Sequence, residues 1–179
     1  MNYLHAIDFI DKHARTGDII TRTGNNFTSH SLRSLNQRNK QYSHCGLIRI
    51  ENGKAVVYHI LGGEWNPDQQ ILRQSVADFC NTADNDAVGL FQMATDSINK
   101  STILERLLSF QHDSVTFDMD FDLHTDHKLY CAELVAKSIE QATKHILCFN
   151  RNTLGGRTFI GVDDIFFGRF CQARLSNGI

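Results

Sequence analysis

The chain has 179 residues, 41% hydrophobic and 21% charged, with a net charge of -2 at neutral pH. That length and composition fit one domain, residues 1–179, able to bury about two thirds of its unfolded surface without cross-links, and they indicate neither a disordered nor a membrane-embedded class. The charge balance argues against a general nucleic-acid binder, which carries a basic excess on one face, so the basic stretch at 33–40 is assigned to a solvated loop.

Leu4, Ile7, Ile10 and Ala14 recur at helical spacing, which predicts an amphipathic helix over 2–15 that stops at Gly17. Asp8, Asp11 and His13 break its apolar runs, leaving no signal-peptide core, and no segment approaches the length of a bilayer span. A cytoplasmic protein without stable membrane insertion is the expectation. A strand "DIIT" follows, and 23–41 reads as a long polar loop with one helical turn.

Asn52-Gly53 is a strong two-residue turn signal between two apolar runs, so 43–60 is predicted to be a β-hairpin. Beyond it, "SVADFCN" predicts a short helix capped by Ser75, and "AVGLFQM" a buried strand. "STILERLLSF" predicts a helix with a Thr102-to-Glu105 capping box. Residues 117–123 alternate apolar and acidic, which predicts an extended segment. From Cys131 a helix is expected to reach about His145, with Val135, Ile139, Ala142 and Ile146 facing inward, and the tail to close with a helical turn and a strand.

The turn fixes the hairpin register. If Asn52 and Gly53 are the central residues, Glu51 faces Lys54 and His59 lies opposite Gly46. Alternation then puts His44, Gly46, Ile48 and His59 on one face, with His44 and His59 diagonal neighbours whose imidazoles can meet across the glycine. Cys45 points the other way, so it and His44 make a poor nucleophile and base pair.

The five cysteines, Cys45, Cys80, Cys131, Cys148 and Cys171, are odd in number and contain no C-x-x-C, which fits reduced thiols. Cys131 opens an apolar helix on its inward stripe. There, free backbone N–H groups favour a thiolate and can hold the oxyanion of an acyl intermediate. A buried, inert thiol is the bland alternative from the residues alone.

"GDIIT", "YSHCGLI", "VVYHI", "SVADF", "VGLFQ", "FDMDFD" and "YCAELV", in that order, resemble the permuted papain-like cysteine hydrolases. These are the YiiX/YebB-type branch of the NlpC superfamily, relatives of the lecithin:retinol acyltransferase group. The resemblance spans roughly residues 15–140. It implies an α+β papain-like domain, circularly permuted, with an antiparallel sheet and the nucleophile helix against it. It further implies Cys131 as nucleophile, His44 as general base and His59 as the residue that orients His44. Some members carry a carboxylate at the position of His59, and valine and serine are common where this chain has Cys45 and Ala132.

Other patterns carry less. The acidic run from Asp118 to Asp126 has the odd-position spacing of a calcium loop, but Leu123 and Leu129 stand where glycine and glutamate are needed. His124, His127 and Cys131 match no compact zinc signature. Gly62-Gly63 and Gly155-Gly156 lack the lysine of a phosphate loop, and Trp65 and Tyr58 are groove candidates better explained by packing. Glu133 suits the first turn of its helix, favouring the dipole or fastening a loop. The expectation is a cysteine-dependent amidase or peptidase without cofactor or metal, acting on a peptide, N-acyl or lipid substrate. Lipid acyl transfer or thioester hydrolysis, and a noncatalytic binding module, are the alternatives.

Overall fold

The computed structural model describes residues 3–63, 66, 68–94, 99–168 and 170–178, with side chains up to 175. Trp65 lies outside the described residues. In chain order the elements are α1 (Tyr3–His13), β1 (Ile19–Gly24), α2 (Phe27–Leu35), β2 (His44–Glu51), β3 (Lys54–Ile60), β4 (Ile71–Ser75), α3 (Val76–Phe79) and β5 (Asn85–Met93). There follow α4 (Lys100–His112), β6 (Thr116–Phe117), β7 (Lys128–Leu129), α5 (Cys131–Ala142), β8 (Asn152–Leu154), β9 (Arg157–Phe159), α6 (Val162–Phe166) and β10 (Cys171–Gly178).

The main sheet runs β10-β5-β1-β2-β3-β4, antiparallel at every pairing. Strands β2, β3 and β5 are mostly buried along their length because both faces are covered. On one face Ile19, Cys45, Leu47, Tyr58 and Ile60 meet Leu107, Leu134, Val135 and Ile139 from α4 and α5. On the other, Ile20, Ile48 and Val57 meet Ala6 and Ile10 of α1 and Phe79 of α3. No helix among the described residues is long and apolar enough to cross a membrane.

The hairpin forms as its turn requires: Asn52 and Gly53 take positive φ of 50° and 77°, and the register pairs Glu51 with Lys54 through Leu47 with Tyr58. Ser75 caps α3 by accepting the Asp78 N–H. Tyr58 is a core residue whose hydroxyl donates to Glu51 Oε1 at 2.7 Å.

Four local expectations are corrected. Residues 27–35 form a nine-residue helix rather than one turn, started by Asn26 accepting the Ser29 N–H; with no buried residue, α2 has no apolar stripe to announce it. The cap of α4 is Asn99, which accepts from Ser101 N, so Thr102 lies inside the helix. The alternating segment at 117–123 is not extended, because the buried Asp118 carboxylate accepts the N–H groups of Asp120 at 2.9 Å and Asp122 at 2.6 Å and winds the chain around itself. Finally, α5 ends at Ala142, since Lys144 and His145 adopt positive φ, and Ile146 is exposed.

Gly46 is the closest approach in the hairpin. A Cβ there would sit 2.8 Å from Tyr58 O and 3.0 Å from His59 Cβ. Gly46→Ala is therefore expected to destabilise the fold by about 1–3 kcal/mol, read as a lower urea midpoint; an unchanged midpoint would contradict this packing.

Candidate active site

His44 opens β2 and Cys131 opens α5, the helix laid across β2 and β3. The structure brings the three residues singled out in the sequence together. His44 Nε2 lies 2.8 Å from His59 Nδ1, with the rings edge-on at 85° and their centroids 5.0 Å apart. The His44 ring also acts on the Cys131 sulfur, lowering the pKa of its thiol. Because Nε2 is engaged with His59, the nitrogen left for the sulfur is Nδ1. Cys131 and His44 are 7% and 8% exposed, and His59 is wholly buried.

Two partners of this trio were missed in the sequence. The first is Cys45, whose thiol and backbone N–H both act to lower the Cys131 thiol. Its side chain does point away from the His44 and His59 face, but that direction carries it to α5. The signal was available in the alternation of β2, once α5 is set on the Cys45 face. The second is Gln74, whose Oε1 lies 2.9 Å from His59 Nε2. In the β3–β4 register His59 faces Leu72 and Val57 faces Gln74, so Gln74 is the diagonal neighbour of His59 on the same face.

Placing a thiolate here is an electrostatic problem. One helix N-terminus supplies only about 0.3–1 kcal/mol, less than the cost of burying an ion, whereas a hydrogen bond to a charged group supplies about 1.5–3 kcal/mol. Several such bonds decide the balance. The Cys131 thiol is held well below its ordinary range, first by the hydrogen bond from the Cys45 thiol, against the opposing effect of burial. The charge and hydrogen bond of His44 and the Cys45 N–H add to the lowering. Burial and the adjacent Cys131 push Cys45 well up, so its S–H remains a donor. His59 is kept neutral: burial lowers it most, then the nearby His44 and Arg22 charges, with the Gln74 hydrogen bond opposing.

The surroundings hold the His44 and Cys131 side chains still. Phe79 of α3 lies against the His44 and His59 rings, at 5.7 Å and 4.9 Å between centroids. Arg22 in turn lies 4.7 Å over the Phe79 ring and donates to its carbonyl at 2.6 Å. The chain entering β2 is tied to α6, where Asp163 Oδ2 accepts the N–H groups of Gln37, Arg38 and Asn39. Asn36 donates to Tyr42 O at 2.8 Å and accepts from Val162 N at 3.1 Å. Ahead of Cys131, the Tyr130 N–H donates to Glu133 Oε2 and the Tyr130 hydroxyl accepts the Ile160 N–H at 2.8 Å. Lys137 Nζ gathers Glu133 at 2.9 Å, Asp126 at 2.7 Å and the Leu123 carbonyl at 3.1 Å. Glu133 thus fastens the loop before the helix.

No protein-family model and no curated protein matches the chain. Among solved structures it is similar to the crystal structure of the metalloprotein YiiX from Escherichia coli O157:H7, with a TM-score of 0.69 and 16% identity over 92% of this chain and 98% of that one. The two share a fold. It is the α+β arrangement with a six-stranded antiparallel sheet described above. Among the described residues no three His, Cys, Asp or Glu side chains converge as metal ligands, and His124 and His127 are exposed while Cys131 is buried. His124, His127 and Cys131 are therefore not assembled as a metal site.

Two outcomes follow from these electrostatics. Cys45→Val removes the thiol donor, so alkylation of Cys131 by iodoacetamide at neutral pH should slow by about tenfold or more; an unchanged rate would show that the Cys45 hydrogen bond does not lower the Cys131 thiol. Burial raises Glu133 from 4.5 to about 7 against the opposing Lys137. The folded state thus holds this proton more tightly than the unfolded state, and the resulting stability is full below 4.5 and lost as pH rises through about 7. Glu133→Gln should lack that component of the pH dependence in denaturation series; identical profiles would contradict it.

Proposed function

We propose that this protein is a cysteine-dependent hydrolase, an amidase or peptidase, in which Cys131 is the nucleophile, His44 the general base and His59 the residue that orients His44. The observation that supports the reading is the Cys131 thiol at the start of α5, lowered by the His44 imidazole, which is itself held at 2.8 Å by a second, neutral imidazole. A structural cysteine needs neither a helix N-terminus nor an oriented base. The shared fold with YiiX and the ordered resemblance of "YSHCGLI" and "YCAELV" to the permuted papain-like hydrolases point the same way.

In this mechanism the Cys131 thiolate attacks the acyl carbon, and the new oxyanion meets the free N–H groups at the head of α5. His44, protonated by the thiol through Nδ1, gives that proton to the leaving amine. The thioacyl enzyme remains. His44 then takes a proton from water, whose oxygen attacks the thioester carbon and releases the acid and Cys131. Neutral His59 adds no fixed charge, unlike a carboxylate, so its part is geometric.

A second reading, hydrolysis or transfer of a lipid acyl group, is favoured by one feature. The half-buried Phe117 packs against the half-buried Phe121, and Phe121 against the buried Tyr130 that precedes Cys131, with centroids 6.4 Å and 4.9 Å apart, and Met119, between the two phenylalanines in sequence, is 66% exposed. An acyl chain would suit that surface.

Incubation with peptide amides, N-acyl amides and long-chain thioesters, read by intact mass and product release, separates the readings. An acyl adduct on Cys131, absent from Cys131→Ala, is expected, with turnover in His44→Ala lower by about 10²–10⁴-fold. Reaction confined to the long-chain thioesters would select the lipid reading. Absence of any adduct across the three classes would overturn both.

A further inference from the structure

We infer that Gln74 is a positioning residue for this site, the terminal member of a hydrogen-bond relay through His59 and His44 whose direction decides whether His44 can accept the Cys131 proton. The inference rests on the reading of Cys131 and His44 as nucleophile and base. The relay crosses three adjacent strands on one face of the sheet: His44 on β2, His59 on β3 and Gln74 on β4, each diagonal to the next. The contacts are 2.8 Å and 2.9 Å.

The argument is one of counting protons. A neutral imidazole has one N–H and one lone pair, so each ring in a chain passes on the direction imposed by its neighbour. The Gln74 amide presents either an acceptor oxygen or a donor NH₂. With Oε1 facing His59, as found, His59 must carry its proton on Nε2 to donate it. Its Nδ1 is then a lone pair and accepts from His44 Nε2–H. The second His44 nitrogen, Nδ1, is left as a lone pair facing the sulfur. Transfer of the Cys131 proton to that nitrogen gives the thiolate and an imidazolium whose two N–H groups point at the sulfur and at His59. Every donor then has an acceptor.

With the amide reversed the same chain fails. His59 Nε2 would accept, His59 Nδ1–H would donate to His44 Nε2, and His44 would carry its proton on Nδ1. That tautomer offers the thiol a donor instead of a lone pair, and Cys131 would stay protonated. Because His59 is buried and its ring hydrogen-bonds His44 and Gln74 alone among the described residues, the Gln74 oxygen and the His44 ring settle its tautomer between them. The titratable groups facing the relay from neighbouring elements are Arg22 of β1 and Cys131 of α5, with Cys45 of β2 reaching the sulfur from the opposite face; burial first, then the charges of His44 and Arg22, keep His59 from taking a second proton.

Isotope-labelled histidine read by long-range proton–nitrogen NMR tests the inference on the full chain without substrate. Wild type and Gln74→Glu, which keeps an acceptor oxygen, are expected to show His59 protonated on Nε2. Gln74→Met, which keeps the volume but has no comparable acceptor, is expected to lose that preference. In parallel, alkylation of Cys131 in Gln74→Met should slow by about tenfold at neutral pH and recover at alkaline pH, where the thiolate forms without a base, while Gln74→Glu retains the wild-type rate. Gln74 is half-buried on an edge strand, so a purely structural role would alter melting without changing the tautomer or the pH profile. Wild-type His59 protonated on Nδ1, or wild-type alkylation in folded Gln74→Met at neutral pH, would overturn the inference. The expected tautomers in a protein that forms no acyl adduct would overturn the hydrolase reading and leave the relay standing.

Discussion

The contact between the His44 ring and the Cys131 sulfur is the interaction on which the rest of this molecule converges. A thiolate buried at the head of a helix is stable only if its hydrogen bonds and nearby positive charge outweigh the loss of water. Here those partners come from one short piece of chain. His44 contributes its ring, and Cys45, the next residue, contributes a thiol and a backbone N–H. Two consecutive side chains of a strand point to opposite faces, so both can reach one sulfur only where a helix begins beside the strand's end. That requirement fixes the position of α5 on the sheet.

Much of the surrounding structure meets the same constraint. The apolar face of α5 beds Leu134, Val135 and Ile139 on the sheet, while its first turn is held from outside by Glu133, Lys137 and the Tyr130 hydroxyl. The strand end is held by other means. Asp163 and Asn36 bind the backbone that leads into His44, and Phe79 fills the space behind both imidazoles. Neither reactive group depends on a single neighbour for its place. If the proposed hydrolase reading holds, a site built this way has little conformational entropy left to lose on binding its substrate.

Legibility in the sequence followed how local each determinant is. Asn52-Gly53 sets a register through a two-residue turn, and that was enough to bring His44 beside His59 and to require Gly46 between the strands. The start of α5 was legible from apolar periodicity, and so was the Ser75 cap of α3. Gln74 was not, because β4 reaches β3 through the connection at 61–70, which sets no register by itself. Cys45 required knowing which face α5 covers. Residues 117–123 misled because strand-like alternation cannot reveal that one carboxylate, Asp118, captures the backbone of its own segment. The solvent-facing α2 had no apolar stripe to reveal it.

The most direct test of the proposed pairing of Cys131 with His44 is the ultraviolet absorbance of the Cys131 thiolate across a pH titration, taken as the difference between wild type and Cys131→Ala and repeated with His44→Ala. The account predicts that the thiolate signal is already present at pH values well below the ordinary thiol range, and that loss of the His44 ring moves its appearance upward. A thiolate signal that emerges only in the ordinary range, and at the same pH with or without His44, would contradict it.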